Sequence, residues 1–347
     1  MDALINHVEA KEELGLREVE AATDMLLSAS VSDEKKAAFL RELTIKGETA
    51  AEIAYFVESF LRRAVDPGTS AMDFDGPTID VCGTGGDKLN LFNVSTTSMF
   101  VIAAGGATVV KHGNRGITSK SGGADVLEAL GVNLAITPDV FRECLGEAGV
   151  GFLFAPQYHP AFKAVVGVRG MLAKEGTRTI FNLIGPLLNP ARPACQLVGV
   201  CDASLGSVFA EILQRLGRDS AWVVHGSTAE GASVDEVSLL GSTRICKAGA
   251  YQANVDEEVK PEDFGFSPCS VADLVGGDAE VNAKILVDIL SGKEMGPKRE
   301  MVLLNAGAGL ACAGLSDSME DGVKRAAELI DSGEALDRLR KLQKVAC

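Results

Sequence analysis

Histidine and aromatic residues are scarce in this sequence. Its 347 residues include four histidines and one tryptophan, and aromatic residues make up 5% of the chain. Eight cysteines are present, but no two of them form a Cys-x-x-Cys pair. Structural zinc sites are built from closely spaced cysteines and histidines, so the sequence indicates no such site. Scattered cysteines are typical of reduced thiols, which predicts a cytoplasmic protein.

Positive charge is also in short supply. Lys and Arg number 33 against 48 Asp and Glu, so the formal net charge is −15 at pH 7 and the isoelectric point is about 4.8. Such an acidic chain is a poor partner for nucleic acid or for an anionic membrane. The sequence lacks an apolar run of the ~18–20 residues that span a bilayer. Its polar, acidic first residues predict no signal peptide.

Hydrophobic residues, in contrast, make up 46% of the chain. This length and composition are enough for two domains or for one large α/β domain. Residues 1 to about 65 are predicted to be helical, since Thr49 and Glu52 form a capping box. Apolar residues follow the box at helical spacing: Ile53, Phe56, Val57, Phe60 and Leu61. Residues 66–70 are a predicted linker.

A first glycine-rich turn follows the apolar run 78–82, which predicts a buried strand. The turn reads Gly-Thr-Gly-Gly-Asp (83–87), and glycines let backbone N–H groups approach an anion closely. Asn-Val-Ser-Thr (93–96) then precedes an apolar run, as at a helix N-terminus that binds phosphate. The spacing fits neither a Walker loop nor a dinucleotide fingerprint. Alone, the turn is equally compatible with an ordinary strand-to-helix connection.

A second turn of this kind adds positive charge. The run 108–110 predicts another strand, and Lys-His-Gly-Asn-Arg-Gly (111–116) follows it. A solvated basic loop is the simple alternative. However, Lys111, Arg115 and Lys120 cluster here in an otherwise acidic chain, which indicates an anionic ligand. Residues 125–130 then predict a helix that ends at Gly131.

Later segments predict more strands, more helices and an acidic pair. Strands at 195–200 and 221–226, with a helix from about Leu205 to Leu216 between them, form a strand–helix–strand unit and imply parallel strands. Asp235 and Glu236 follow that unit; such a pair is commonly a solvated loop, and otherwise it suits Mg²⁺ together with substrate phosphate oxygens. The C-terminal helices are predicted near Ala279–Leu290, Glu300–Ala313 and Asp321–Leu342. Residues 305–309 are small enough for close packing, and no chemistry is assigned to them.

Four motifs, in this order and spacing, carry a family resemblance: Gly-Thr-Gly-Gly-Asp (83–87), Asn-Val-Ser-Thr (93–96), Lys-His-Gly-Asn-Arg (111–115) and Ala-Asp-Val-Leu-Glu-Ala-Leu-Gly (124–131). The segment 161–193, with Arg169 and an Asn-x-x-Gly-Pro turn at 182–186, extends it. Over nearly its whole length the chain resembles the anthranilate phosphoribosyltransferases of tryptophan biosynthesis.

The resemblance implies an α/β fold with two domains. One is a small all-helical domain, and the other is a large α/β domain with a central, mostly parallel sheet flanked by helices; the active site lies in the cleft between them. Residues 1–70, completed by about 160–184, are implied to form the helical domain, and 71–159 with 185–347 the large one. The resemblance also implies a homodimer through the helical domain. It leaves open whether an anthranilate synthase or glutamine amidotransferase subunit binds.

The implied activity is transfer of phosphoribosyl from phosphoribosyl pyrophosphate (PRPP) to the amine of anthranilate. The products are N-(5-phosphoribosyl)anthranilate and pyrophosphate, and the implied cofactor is Mg²⁺, about two ions per subunit. No residue is assigned as a general base, because a neutral arylamine is already nucleophilic and alignment supplies most of the rate. Lys111 and Arg169 are expected to support the transition state.

The resemblance assigns site residues to three groups. Those implied to bind PRPP are Gly83, Gly86, Asp87, Asn93, Val94, Ser95, Thr96, Lys111, His112, Gly113, Asn114, Arg115, Ser119 and Gly123. Those implied on the anthranilate side are Gly83, His112, Asn114, Arg169 and Pro186. Arg169 is expected to face the anthranilate carboxylate, which a guanidinium fork matches. Those implied to hold metal are Ser95, Asp235 and Glu236.

Three features depart from the family pattern. Leu91 stands where a hydroxyl residue is common, and Gly123 stands where a serine helps to bind PRPP. The loop before Asp235, residues 225–233, is longer than usual. These departures bear on the affinity for PRPP, while the lysine, the arginine and the acidic pair are retained.

Two other functions compete with this interpretation. A pyrimidine-nucleoside phosphorylase shares the glycine-rich loop, but it has a different basic motif and an additional C-terminal domain for which 347 residues leave little room. A non-catalytic nucleic-acid-binding relative of the fold requires a basic surface. The net charge of −15 argues against it, as does the retention of Arg169, Asp235 and Glu236.

Overall fold

The computed structural model describes residues 1–116, 120–250 and 252–347. It begins with a bundle of helices: α1 (Asp2–Glu9), α2 (Leu16–Leu27), α3 (Asp33–Lys46) and α4 (Ala50–Leu61). The predicted capping box is present, since the Thr49 hydroxyl accepts the Glu52 N–H and the Glu52 carboxylate accepts the Thr49 N–H, at 3.2 and 2.8 Å. The predicted apolar stripe of α4 is buried.

Strands and helices alternate in the rest of the chain. The strands are β1 (Thr78–Gly83), β2 (Thr108–Gly113), β3 (Val150–Phe154), β4 (Cys195–Gly199), β5 (Ser220–Ser227), β6 (Ser233–Val234), β7 (Thr243–Gly249) and β8 (Gln252–Val259). The helices up to β5 are α5 (Val94–Ala104), α6 (Gly123–Ala129), α7 (Pro138–Ala148), α8 (Ala155–Tyr158), α9 (Val166–Lys174) and α10 (Leu205–Arg215). The last are α11 (Val271–Leu274), α12 (Ala279–Leu290), α13 (Pro297–Cys312), α14 (Met319–Asp331) and α15 (Glu334–Val345).

One sheet organises this part of the molecule, with strand order β3-β2-β1-β4-β5-β7-β8 and β6 paired with β5. Strands β1 to β5 pair in parallel, and β7 and β8 pair antiparallel. The chain leaves β1 toward β2 and β3 and later returns to its other side with β4. Ligands of such sheets bind where the strand order reverses, at the carboxyl ends of the strands. The predicted fold class is confirmed.

Two details of the sequence interpretation are wrong. The single helix predicted over Asp321–Leu342 is two helices, because Gly333 takes a left-handed conformation, with φ of +84°, between α14 and α15. Helix α13 begins at Pro297, three residues before the predicted Glu300, because proline suits the first turn of a helix. The antiparallel strands β7 and β8 were not predicted.

Alternate residues of the strands pack into two hydrophobic cores, one on each face of the sheet. Leu197 and Trp222 join the core beneath α5 and α13. Val198 and Val223, their neighbours in sequence, join the core that contains α10 and the helical bundle. Successive side chains of a strand point to opposite faces, so the bundle shares one continuous core with the sheet.

The segment around α9 returns to the helical bundle. Lys36 Nζ donates to the Ala164 carbonyl at 3.1 Å, and Arg41 pairs with Glu175 at 2.8 Å. These contacts support the domain boundaries that we propose: 1–70 with about 160–184 for the helical domain, and 71–159 with 185–347 for the large one.

Strand β8 forms one edge of the sheet and carries three consecutive acidic residues, Asp256, Glu257 and Glu258. Arg244 and Lys247 of β7 pair with the first two at 2.6 and 2.5 Å. All eight cysteines are free thiols. Within the described ranges, no helix is both long and apolar enough to cross a membrane.

Candidate active site

The first glycine-rich turn lies against the acidic pair. Gly83 and Gly199 end β1 and β4 and are paired in the sheet. A Cβ atom on Gly83 would lie 2.3 Å from Asp235 Oδ2, and one on Gly199 would lie 1.6 Å from the Asp235 carbonyl oxygen. The Gly85 N–H donates to Asp235 Oδ2 at 2.6 Å. Only glycine lets the two strand ends approach Asp235 this closely.

The start of α5 meets the second acidic residue and the lysine of the second turn. The Ser95 N–H donates to Glu236 Oε1 at 3.2 Å, as expected where a helix N-terminus faces a carboxylate. Lys111 Nζ donates to Ser95 Oγ at 3.3 Å and also to the Val81 carbonyl. The structure therefore brings Ser95, Lys111 and Glu236 together at the ends of three neighbouring elements.

The electrostatics of this cluster favour a cation. Loss of hydration raises the pKa of Asp235 to about 6, and the charge of Asp87 adds to the shift. Loss of hydration also raises the pKa of Glu236, followed by the charge of Asp235, against the opposing charge of Lys111. A carboxylate pair with raised pKa values fits a divalent cation. No set of three or more His, Cys, Asp and Glu converges as a metal cage in the described part of the chain. The pair Asp235 and Glu236 suits Mg²⁺, which takes one or two carboxylates plus substrate oxygens.

His112 is held by its backbone, and its buried ring also meets the backbone of Gly185. Its N–H donates to Asp80 Oδ1 at 3.2 Å. Among the described residues, its buried Nε2 has no hydrogen-bond partner, and its ring lies 5.2 Å from the ring of His159, centroid to centroid. Burial lowers the pKa of His112 to about 3, followed by the charges of His159 and Lys111. The imidazole is therefore neutral at pH 7 and offers an unpaired polar atom to a ligand.

Arg169 lies on α9 with its guanidinium 5.7 Å from the centre of the Phe181 ring. The described residues include no carboxylate paired with it, so its fork is available to a ligand carboxylate. Within residues 1–116, 120–250 and 252–347, no contact joins Arg169 to the cluster of Ser95, Lys111 and Glu236.

Most of the remaining predicted residues bond to their own neighbours. The Asn93 side chain donates to the Ser121 carbonyl and accepts from Asn282. Asp87 accepts the Leu89 N–H, and Gly86 has a φ of +98° that only glycine adopts easily. Val94, Thr96 and Gly113 lie in α5 and β2 beside them. Asn114 Oδ1 accepts the Arg115 N–H, and the Pro186 carbonyl accepts from the Gln196 side chain.

Arg115 is engaged away from the acidic pair. Its guanidinium forms a bidentate ion pair with Glu128, with N···O distances of 2.6 and 3.1 Å, and lies 4.9 Å from the centre of the Phe154 ring. At Gly123, a Cβ atom would lie 2.7 Å from Thr96 Oγ1, so this departure from the family pattern leaves room for the threonine hydroxyl. Ser119 lies outside the described residues.

The sequence analysis missed residues that support the site from behind. Asn305 of α13 accepts the Val237 N–H and donates to the Val237 carbonyl, both at 2.9 Å, which fixes the backbone that follows Glu236. Asp80 and Asn189 form a buried pair at 2.9 Å beneath β2. The motif around Asn305 was visible in the sequence, but nothing local in it indicated a contact 68 residues away.

Comparison with known families agrees with this architecture. Residues 75–336 match the glycosyl transferase family model described as an α/β domain, and residues 2–64 match the one described as a helical bundle domain. The chain therefore belongs to the glycosyl transferase family defined by these two domains.

Curated relatives place the chain within that family. It is 42% identical over 341 residues to an anthranilate phosphoribosyltransferase of Desulfatibacillum aliphaticivorans, covering 98% of this chain and 97% of the relative. It is 44% identical to one of Anaeromyxobacter dehalogenans, covering 98% of each. The crystal structure of the Thermus thermophilus anthranilate phosphoribosyltransferase superposes with a TM-score of 0.88 at 37% identity over 99% of both chains. Within the glycosyl transferase family, the chain thus belongs to the anthranilate phosphoribosyltransferases.

A more distant structure shares the fold. The anthranilate phosphoribosyltransferase of Saccharomyces cerevisiae, solved in complex with PRPP and Mg, has a TM-score of 0.83 at 24% identity and covers 99% of this chain and 98% of the yeast chain.

Proposed function

We propose that the cleft between the sheet and the helical domain transfers phosphoribosyl from PRPP to the amine of anthranilate. The products are N-(5-phosphoribosyl)anthranilate and pyrophosphate. The observation that carries the proposal is the meeting of four features at the strand ends: the glycine-rich turn, the N-terminus of α5, Lys111, and the acidic pair Asp235–Glu236.

The donor side follows from the chemistry of the leaving group. When the bond between the ribose C1 and the pyrophosphate oxygen breaks, negative charge grows on pyrophosphate and positive charge grows on the ribose. The backbone N–H groups of Gly86, Asp87 and Thr96 and the Lys111 ammonium oppose the growing negative charge. Asn93, Thr96, Asn114 and Gly123 complete the donor side. Ser95, Asp235 and Glu236 would hold Mg²⁺, which neutralises pyrophosphate charge when bound.

The acceptor side is proposed at Arg169, His112, Asn114 and Pro186. The Arg169 fork suits the anthranilate carboxylate, and the neutral His112 ring supplies a polar atom without repelling Lys111. No side chain is proposed as a general base, because holding the arylamine in line with the ribose carbon supplies most of the rate.

The test follows anthranilate fluorescence with PRPP, with and without Mg²⁺. We expect a loss of fluorescence that requires both PRPP and Mg²⁺. Arg169→Ala should raise the KM for anthranilate, and Asp235→Asn should raise the Mg²⁺ requirement. The matched controls are Arg340→Ala and Asp317→Asn, which alter exposed residues outside the site. Phosphorolysis of thymidine by the wild-type protein, without consumption of anthranilate, would contradict the proposal and favour the phosphorylase.

We also propose that the chain forms a homodimer through its helical domain. Large apolar side chains on α2, α3 and α9 are exposed, with exposed fractions of 45% for Leu16, 59% for Ile45 and 63% for Val166. Light scattering after size exclusion should give twice the chain mass. Ile45→Glu should give the single-chain mass, and Val281→Glu, at a residue of α12 with an exposed fraction of 47%, should not. A glutamine amidotransferase subunit is a further proposed partner, which co-elution would test.

A further inference from the structure

The parallel pairing of β1 and β2 stops early. The two strands pair only at Thr78–Thr108 and Ile79–Val109. Beyond that point β1 continues to pair with β4 as far as Gly83, and β2 continues to pair with β3 as far as Gly113. The backbone groups that face the gap between β1 and β2 therefore need other partners, because an unpaired buried N–H or C=O is strongly unfavourable.

Side chains take the place of the missing pairing. Asp80 Oδ1 accepts the His112 N–H at 3.2 Å. Asn189 Nδ2 donates to Asp80 Oδ2 at 2.9 Å and to the Val110 carbonyl at 2.7 Å. Lys111 Nζ donates to the Val81 carbonyl. The end of β2 is thus held by two side chains outside its own strand, and both Asp80 and Asn189 have an exposed fraction of 0%.

Asp80 also interacts electrostatically with the lysine. The ammonium of Lys111, whose residue is 4% exposed, contacts a carbonyl and a hydroxyl. Burial raises the pKa of Asp80, while the nearby charges of Lys111 and Arg218 oppose that rise.

We infer that Asp80 and Asn189 are positioning residues, which hold Lys111 and His112 at the end of β2 in the arrangement that phosphoribosyl transfer requires. This inference rests on the proposed function. Neither residue contacts the substrates; each acts through the strand end that it holds.

A double-mutant cycle tests the inference. Asp80→Asn keeps the side-chain volume but turns an acceptor into a donor that faces other donors. We expect it to lower kcat at least about tenfold in the wild-type background. In a background that carries both Lys111→Ala and His112→Ala we expect less than about a threefold further loss, because both groups that Asp80 positions are gone. Asn189→Asp, which sets a second carboxylate against Asp80, should follow the same pattern.

Thr23→Val is the matched control. It removes one buried side-chain hydrogen bond in the helical domain, from Thr23 Oγ1 to the Val19 carbonyl at 2.9 Å. We expect a lower Tm with unchanged kcat. All kcat values are referred to folded protein, measured by circular dichroism.

Each outcome supports or overturns the inference. Equal fold-losses in the two backgrounds, an unchanged kcat, or failure of both Asp80→Asn and Asn189→Asp to fold would show a merely structural role. Absence of turnover by the wild-type protein would instead refute the proposed function. If only Asp80→Asn fails to fold, the Asn189→Asp cycle decides.

Discussion

Gly83 and Gly199 lie side by side at the ends of two strands, and both touch Asp235. At this scale the site depends on the absence of side chains as much as on their presence. The Gly85 N–H reaches the Asp235 carboxylate directly, so the backbone of the turn that follows β1 helps to set the position of Asp235.

Gly83→Ala tests this close contact. The new Cβ atom would meet Asp235 Oδ2 at 2.3 Å, so either the carboxylate or the turn must move. Overpacking of this kind costs ~1–3 kcal/mol, and we expect a raised Mg²⁺ requirement and a loss of about 5- to 150-fold in kcat/KM. Steady-state kinetics over a Mg²⁺ series measures both.

Gly146→Ala is the matched control for Gly83→Ala. A Cβ atom there meets nothing within 4 Å, and the residue lies inside α7. Alanine should stabilise the helix by ~1 kcal/mol and leave activity unchanged. Equal kinetics for the two variants would rule out a role for the close contact.

The neutral, buried His112 predicts a loss of stability in acid. Its folded pKa is about 3, below the ordinary value of ~6.5. As the pH falls below ~6.5, the unfolded chain binds a proton that the folded chain does not, so the free energy of unfolding decreases. From pH 7 to pH 5 this contribution amounts to about 2 kcal/mol.

Urea unfolding of the wild-type protein and of His112→Asn at pH 7 and pH 5 measures the contribution of His112 to the free energy of unfolding. The difference between the two proteins cancels the opposite contribution of carboxylates with raised pKa values, such as Asp235. The wild-type protein should lose about 2 kcal/mol relative to the variant. A difference that is the same at both pH values would contradict the prediction.

Local sequence rules found the residues of the glycine-rich turns but not the residues that support them. Glycines, a helix start and a basic strand end are visible within a few positions of one another. Asp80 is a single acid in an apolar run, and its partner Asn189 lies 109 residues away. Only the sheet brings them together, so the pattern around either residue does not predict the contact.

Helix α13 is the element that supports the acidic pair from the core. Through Asn305 it holds both backbone groups of Val237, the residue after Glu236. The position of the metal-binding carboxylates that we propose therefore depends on a helix that contributes none of them.

Asn305→Leu should weaken that support. It leaves the buried N–H and C=O of Val237 unpaired, at ~1–3 kcal/mol each. We expect a lower Tm and a several-fold higher Mg²⁺ concentration for half-maximal activity. Asn305→Asp keeps the acceptor for the Val237 N–H. Its Tm and its Mg²⁺ requirement should lie between those of the wild-type protein and those of Asn305→Leu. A lower Tm with an unchanged Mg²⁺ requirement would show that the contact only stabilises the fold.

Elements with clear start or end signals in the sequence were predicted well, and those without such signals were not. The capping box at Thr49, the Thr137–Pro138 helix start and the Gly131 helix end all hold in the structure. The break between α14 and α15 was missed because the amphipathic pattern continues across Gly333. Strands β7 and β8 were missed because their charged residues obscure the alternation that half-buried strands show.

Over the whole molecule, the helical bundle and the sheet share a core. Phe56 of α4, Phe209 of α10 and Val198 of β4 belong to the same buried cluster. We therefore expect a single cooperative unfolding transition, with equal calorimetric and van't Hoff enthalpies, although two family models divide the chain.

Phe209→Ala probes this coupling. Removal of a fully buried phenylalanine costs ~3–5 kcal/mol. Hydrogen exchange should accelerate in α4 as well as in β4 and α10, because the shared core is lost as a unit. Two calorimetric transitions, or unchanged exchange in α4, would show that the bundle unfolds by itself.

The acidic row on β8 restricts how copies of the chain can meet. An exposed sheet edge is a template for strand addition. Two antiparallel copies of this edge would oppose Asp256, Glu257 and Glu258 to one another across a few ångströms. Growth into continuous sheets is therefore disfavoured on this side. Crowded solutions and refolding mixtures of this protein should remain free of fibrils that extend from β8.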